Sequence, residues 1–261
     1  MPDDFLHRRV PALQKRVFRL GLAASHGIGE DAIREALAGE VNYVFWTPTA
    51  RRLTAPLREA LRRDRDRYVV ATGPTFGFFP GAIRSRVERS LRLLETDYLD
   101  VLQLYWLGMT SAFTAGNVDE MVRLRDEGKV RALGVSIHDR ARAGRLAEDS
   151  PLDLLMLRYN AAHPGAERDV FPHLARRRPA VVAYTATAWR RLLRAPSGWK
   201  GRAATAGDCY RFCLTAPQVD VTLCSPANAA QLREDLDAVA RGPLSPDEEA
   251  WMRQLGRAIH G

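Results

Sequence analysis

Lysine is nearly absent from this chain. Lys15, Lys129 and Lys200 are the only lysines among 39 basic residues, so the formal charge of +8 is carried almost wholly by guanidinium groups. Such groups favour anionic ligands. The basic runs Arg51-Arg52, Arg62-Arg63, Arg176-Arg177-Arg178 and Arg190-Arg191 are short, scattered and interrupted by acids. No continuous basic tail or nucleic-acid module accompanies them, and nucleic acid is not an expected partner. Cysteine is also sparse. Cys209, Cys213 and Cys224 are too few for a disulfide framework, and no His/Cys quartet at ligand spacing joins them, so they read as reduced, buried thiols and no metal is expected. No apolar run is long enough to cross a bilayer, and the N-terminus lacks an apolar core before a cleavage site. The expectation is a cytoplasmic protein with no membrane partner. Nucleotide fingerprints are missing too: His26-Gly27-Ile28-Gly29 is no full Gly-x-Gly-x-x-Gly, and no Gly-Lys-Ser/Thr ends a phosphate loop.

What is present is rhythm. Hydrophobic residues make up 46% of 261, enough for a substantial core. Short β-branched or aromatic runs fall at Phe18–Ala23, Asn42–Trp46, Tyr68–Thr72, Val101–Trp106, Ala132–Ser136, Leu154–Arg158, Ala180–Tyr184 and Val219–Cys224. Segments of helical period follow at 29–37, 53–62, 82–94, 118–127, 140–147, 166–176 and 205–215, with another at 229–240. Eight strand-then-helix units without a linker predict an α/β fold, a single (β/α)8 TIM barrel over residues 1–261 with an additional C-terminal helix, and residues 1–16 as a peripheral N-terminal segment. Asn228 caps the eighth helix, Gly128 and Gly242 end helices, and Ser245-Pro246 opens the last.

In such a barrel the binding groups gather at the carboxyl ends of the strands. Tyr105 stands at one exit as a possible proton donor. His138 follows Gly134-Val135-Ser136 at another, with a ring that titrates near neutrality. Phe45 and Trp46, followed by Arg51 and Arg52, form a candidate substrate pocket. Lys200 and Arg202 lie in a Gly-flanked loop, and Ser225 to Asn228 precede a helix whose first turn offers free N–H groups, so both segments suit a bound phosphate.

The order of several fragments resembles the aldo-keto reductase superfamily from Phe18 to the C-terminal helix. They are Phe-Arg-Leu-Gly-Leu at 18–22, Ile-Gly-Glu-Asp-Ala-Ile-Arg-Glu-Ala-Leu at 28–37, Val-Asn-Tyr at 41–43, Ser-Leu-Arg-Leu-Leu-Glu-Thr-Asp-Tyr-Leu-Asp-Val-Leu-Gln-Leu at 90–104 and Gly-Lys-Val-Arg-Ala-Leu-Gly-Val-Ser at 128–136. The resemblance implies a barrel that binds an extended nicotinamide dinucleotide, NADP or NAD, and transfers a hydride to a carbonyl. In that family a tyrosine donates the proton, tuned by lysine and aspartate and assisted by histidine.

The catalytic tetrad does not carry over. The family aspartate aligns with Phe45, the tyrosine falls near Ala50, the lysine at Gly73 and the histidine at Tyr105. For the cofactor, the resemblance implies Ser136 against the nicotinamide amide and Tyr184 stacked on its ring, while Ile137 and Met156 replace an asparagine and a glutamine. Lys200 and Arg202 would lie near the diphosphate, and Ser225, Asn228 and Gln231 at the adenosine end. There Ala227 replaces the arginine that contacts a 2′-phosphate, and Asp235 falls near an adenine-facing asparagine.

The reading is therefore a divergent aldo-keto reductase-like oxidoreductase that moves a hydride between NAD(P)H and a small carbonyl compound, with Tyr105 and His138 in a non-standard proton-transfer arrangement. Two alternatives stay open: a non-catalytic ligand-binding or regulatory barrel, and different small-molecule chemistry in the same pocket.

Overall fold

The computed structural model describes residues 4–260. The chain opens with an antiparallel hairpin, β1 (His7–Val10) and β2 (Lys15–Phe18), in which Val10 pairs with Lys15 and His7 with Phe18. Its turn is a 3-10 segment, Pro11–Leu13, closed by Gln14 in the left-handed region. Eight parallel strands follow: β3 (Leu20–Leu22), β4 (Tyr43–Phe45), β5 (Val69–Thr72), β6 (Leu99–Leu104), β7 (Val130–Ile137), β8 (Leu154–Arg158), β9 (Ala180–Tyr184) and β10 (Val221–Cys224). They close into a barrel in chain order, with β10 pairing back onto β3. The expected barrel is present. Its first strand starts later than the sequence suggested, because Phe18 pairs within the hairpin.

Helices α1 (Glu30–Ala38), α2 (Arg51–Arg63), α3 (Pro80–Leu94), α4 (Ala115–Asp126), α5 (Arg140–Glu148), α6 (Ala166–Asp169), α7 (Ala206–Thr215), α8 (Ala229–Ala240) and α9 (Pro246–His260) surround it. The sixth crossover differs from the continuous helix expected over 166–176. It breaks into α6 and a 3-10 turn, Phe171–Leu174, where Pro172 brings no N–H to continue an α-helical ladder. Expected boundaries recur elsewhere. Asn228 Oδ1 accepts from Gln231 N at 2.9 Å, Ser245 and Glu248 bond reciprocally at the start of α9, and Gly128 and Gly242 take φ of 74° and 85° at helix ends. The α2 sequence shows why these helices dock: Leu53, Leu57, Ala60 and Leu61 bury one stripe while arginines cover the rest.

Apolar packing forms two layers. Strand residues such as Val44, Leu102 and Leu133 face outward under the helices. Val69, Val101, Ala132, Leu154 and Val182 face inward, and the hairpin's Val10, Leu13 and Val17 join them, closing the amino-terminal end of the barrel. Full burial of a side chain such as Val17 contributes on the order of 1.5–3 kcal/mol. Asp100, 0% exposed, fastens this closure: it accepts from Lys15 Nζ at 2.7 Å, Arg65 Nη2 at 2.8 Å and Val70 N at 2.9 Å.

Candidate active site

Period-2 alternation sends every second residue of a strand toward the barrel axis. Near the carboxyl ends this brings Phe45 (β4), Gln103 (β6) and Tyr105 just beyond it, Ser136 (β7) and His138 just beyond it, Met156 and Arg158 (β8) and Tyr184 (β9) toward one opening. A cavity of about 1070 Å³ runs from this opening outward along β9, β10 and α8. Phe45, Met156 and Tyr184 line its inner end, Ser25, His26 and Ser225 its rim, and Gln231, Glu234, Asp235 and Arg241 its far end. Its volume lies at the upper end for small-molecule sites.

The best-connected polar group at the inner end is Tyr184. Its hydroxyl lies 3.1 Å from Nε2 of His138, and the rings meet edge to face at 6.0 Å. Burial raises the phenol above its ordinary pKa, an effect opposed by the Ser136 hydroxyl and the positive Arg158. Burial first, then Arg158, lowers the pKa of His138, which keeps the imidazole neutral at pH 7.

Tyr105 is placed differently from its expected role. Phe45 packs on its ring at 5.4 Å, and its buried hydroxyl faces Thr72 Oγ1 and the Gly73 N–H without reaching hydrogen-bond geometry to either. Burial drives its pKa upward, and it does not line the cavity. At Gly73 no side chain fits, since a Cβ there would lie 1.7 Å from the carbonyl oxygen of Gln103.

The other expected site residues divide. Ser225 and Gln231 line the cavity, and Ser225 Oγ lies 2.7 Å from Ser25 Oγ and 2.9 Å from His26 Nδ1. Asn228 is engaged as the α8 cap, and Gln231 Oε1 accepts from Ala227 N at 2.9 Å. Ser136 is buried beneath Tyr184. Trp46 leaves the expected pocket: it is fully buried among the helices, its Nε1 donating to Thr54 Oγ1 at 3.1 Å, because it follows Phe45 and so takes the opposite face. Arg51 and Arg52 are exposed on the first turn of α2, and Arg52 donates to the Gly27 carbonyl at 2.6 Å. Lys200 is exposed, while Arg202 pairs with Asp208 at 2.6 Å and stacks over Trp251 at 4.0 Å. None of Trp46, Arg51, Arg52, Lys200 and Arg202 lines the cavity.

Two features were not read from the sequence. Ala188, Trp189 and Arg190 stand consecutively in the left-handed region, with φ of 50°, 55° and 69°, a conformation that costs about 1–2 kcal/mol per residue. It aims Trp189 and Arg190 at the cavity. At the far end Asp235 is 4% exposed and makes no hydrogen bond or ion pair with a described residue. Burial, reinforced by Glu234, pushes its carboxyl up to about 7. Among the described residues no His, Cys, Asp and Glu gather as a metal site, and no helix is long and apolar enough to cross a membrane.

A closed parallel barrel with an elongated cavity at its strands' carboxyl ends has the architecture of the barrel enzymes. The chain belongs to the Aldo/keto reductase family, whose sequence model matches residues 50–194, more than half its length. It is 30% identical over 95 residues to the NADH-specific methylglyoxal reductase of Escherichia coli, covering 36% of this chain and 29% of that protein. It is also 30% identical over 118 residues to the aldo-keto reductase YhdN of Bacillus subtilis, covering 42% and 35%. The alignments thus span about a third of these curated relatives. Among solved structures, the apo form of an aldo-keto reductase from Bacillus halodurans superposes with a TM-score of 0.79 at 22% identity, over 97% of this chain and 96% of that one. An aldo/keto reductase from Klebsiella pneumoniae, in complex with NADP and acetate, gives 0.75 at 22%, over 97% and 95%. These likenesses establish the fold.

Proposed function

We propose that this chain is an oxidoreductase that binds a nicotinamide dinucleotide along the cavity and interconverts a small carbonyl compound and its alcohol. The observation that carries the reading is the elongated cavity of about 1070 Å³ with Tyr184 in its inner wall, in a chain of the aldo/keto reductase family. The residues fit the dinucleotide at this inner end, where the Tyr184 ring offers a face and His138 fixes the hydroxyl edge, with Ser136 buried nearby. They fit a 2′-phosphate poorly, since the far end sets the three carboxyl side chains of Glu234, Asp235 and Asp237 against the single guanidinium of Arg241; NAD is favoured over NADP. When bound, the cofactor supplies or accepts a hydride at the carbonyl carbon.

The chain's own part is the proton. With Tyr105 enclosed under Phe45, the role expected of Tyr105 passes to the Tyr184 hydroxyl, which gives its proton to the carbonyl oxygen while His138 holds the phenol and exchanges the proton with solvent. Tyr184→Phe keeps the ring face and removes the proton. It is expected to bind NADH as the parent does and to lose at least 100-fold in turnover. Tyr184→Leu is expected to weaken NADH binding as well. NADH titration by calorimetry, followed by carbonyl-dependent oxidation at 340 nm, is the test; absence of saturable NADH or NADPH binding in folded protein would sink the reading.

A second reading is favoured by the enclosed Tyr105 and the Gly73 contact, which leave no family acid–base group: a barrel that binds its ligand without turnover. Saturable binding with no carbonyl reduction across an aldehyde and ketone panel would select it.

A further inference from the structure

Arg158 ends β8 beside Tyr184 of β9, its register partner. It is only partly exposed, and it makes no hydrogen bond or ion pair with any described residue. Two nearby guanidiniums are committed: Arg140 is paired with Asp169 at 2.8 Å, and Arg191 donates to the Ile259 carbonyl; Arg190 is exposed on the cavity wall. The Arg158 guanidinium instead lies over a face, the Trp189 ring at 5.5 Å, and that ring is presented by the left-handed turn of residues 188–190. A side chain with five donors and no acceptor, seated on an indole, matches a planar ligand with two coplanar oxygens.

The surroundings have the same sign. Positive charge from Arg158 acts on three groups, His138, His163 and Tyr184. Burial, then the positive charge of Arg158, the neighbouring His260 ring and the charges of Arg191 and Arg140, bring His163 down to about 4. Both imidazoles are thus neutral at pH 7, and neither can serve as the counter-charge of an anion. That task falls to the guanidinium.

We propose that Arg158, on its Trp189 platform and beside the Tyr184 hydroxyl, forms a carboxylate subsite at the barrel mouth, so that the small molecule taken there is a carboxylic acid bearing its carbonyl close to the carboxylate, as in a 2-oxo acid. The proposal rests on the preceding reading for the second half, the identity of the carbonyl compound; the anion subsite stands without it. The carboxylate takes the two forked N–H groups of Arg158, which leaves the adjacent carbonyl oxygen facing Tyr184 and His138. Arginine keeps its charge at any pH the fold survives, so binding persists above pH 7, where a histidine-based site would fail.

The test is titration of glyoxylate and of its neutral methyl ester, by ligand-detected magnetic resonance, on the parent chain, Arg158→Met and Arg158→Lys. The expected result is preference for glyoxylate in the parent chain, at least a 10-fold loss in Arg158→Met, an intermediate value in Arg158→Lys and no change for the ester. Equal affinity of parent and Arg158→Met for glyoxylate, or no preference for acid over ester, overturns the subsite. Inorganic phosphate is the control anion: displacement of glyoxylate at equal concentration would overturn the assignment to a carboxylate. NADH titration of the same samples separates the two readings. Arg158-dependent glyoxylate binding without NADH binding removes the redox function and keeps the subsite, and NADH binding with Arg158-independent glyoxylate does the reverse. Retained melting temperature in Arg158→Met shows that the loss is local.

Discussion

A Cβ on Gly73 would sit 1.7 Å from the carbonyl oxygen of Gln103. The position that the family resemblance gives to a lysine is thus occupied by the backbone of the adjoining strand. Restoring the amine means displacing β5 from β6, so the proton chemistry proposed for this barrel draws on residues elsewhere around the opening.

Gly73→Ala is expected to lower the unfolding free energy by about 1–3 kcal/mol, as overpacking does, and Gly73→Lys by more, with no gain in carbonyl reduction. Urea denaturation of both variants beside the parent checks this. An active, undiminished Gly73→Lys would show that the two strands separate readily.

Asp235 makes stability depend on pH. Its carboxyl titrates at about 7 in the folded chain, against about 3.9 when unfolded. Between those values the folded chain holds a proton that the unfolded chain has released, so this residue's contribution worsens as pH rises through that window and is least favourable above 7. Asp235→Asn should therefore stabilise the protein at pH 8 by on the order of 1–4 kcal/mol and give no gain near pH 4. Melting curves at the two pH values decide it.

His163 acts in the opposite sense over the same range. Its folded pKa is about 4, below the 6.5 of a free imidazole, so the unfolded chain takes up the proton first and stability is lost as pH falls from 6.5. His163→Gln is expected to leave the melting temperature at pH 8 nearly unchanged and to raise it at pH 5. A fall at pH 5 would contradict the assigned direction.

Asp100 carries the base of the barrel. Asp100→Ala leaves Lys15 and Arg65 without their shared acid and is expected to cost about 3–5 kcal/mol, as the loss of one partner from a buried ion pair does. Guanidinium denaturation monitors it, and a cost below about 1 kcal/mol would mean that the hairpin is held by Val10, Leu13 and Val17 alone.

The barrel strands were legible because their residues alternate with helices of clear period, and Asn228, Gly128, Gly242 and Ser245-Pro246 mark boundaries by local chemistry. The hairpin was not. Its inward residues Val10, Leu13 and Val17 are interleaved with His7, Arg8, Arg9, Lys15 and Arg16, and a short charged segment carries no signal that a barrel end lies above it. The site was legible in part. Tyr184 and His138 each stand at a strand exit, but nothing local tells that they meet across the intervening β8, or that Arg202 turns toward Asp208 and Trp251. Nor does sequence reveal that Arg158, one of 36 arginines in effect indistinguishable by composition, makes no ion pair with any described carboxylate. Partner choice among so many guanidiniums is decided by tertiary distance.

Among the described residues, β1 and β2 pack across one end of the barrel, so the proposed ligands share one doorway. On that proposal, a long molecule lying from Tyr184 to Asp235 and a small one resting at Arg158 arrive and depart through the same side. Whichever seats deeper then has to load first and leave last, an ordered sequence imposed by plain obstruction.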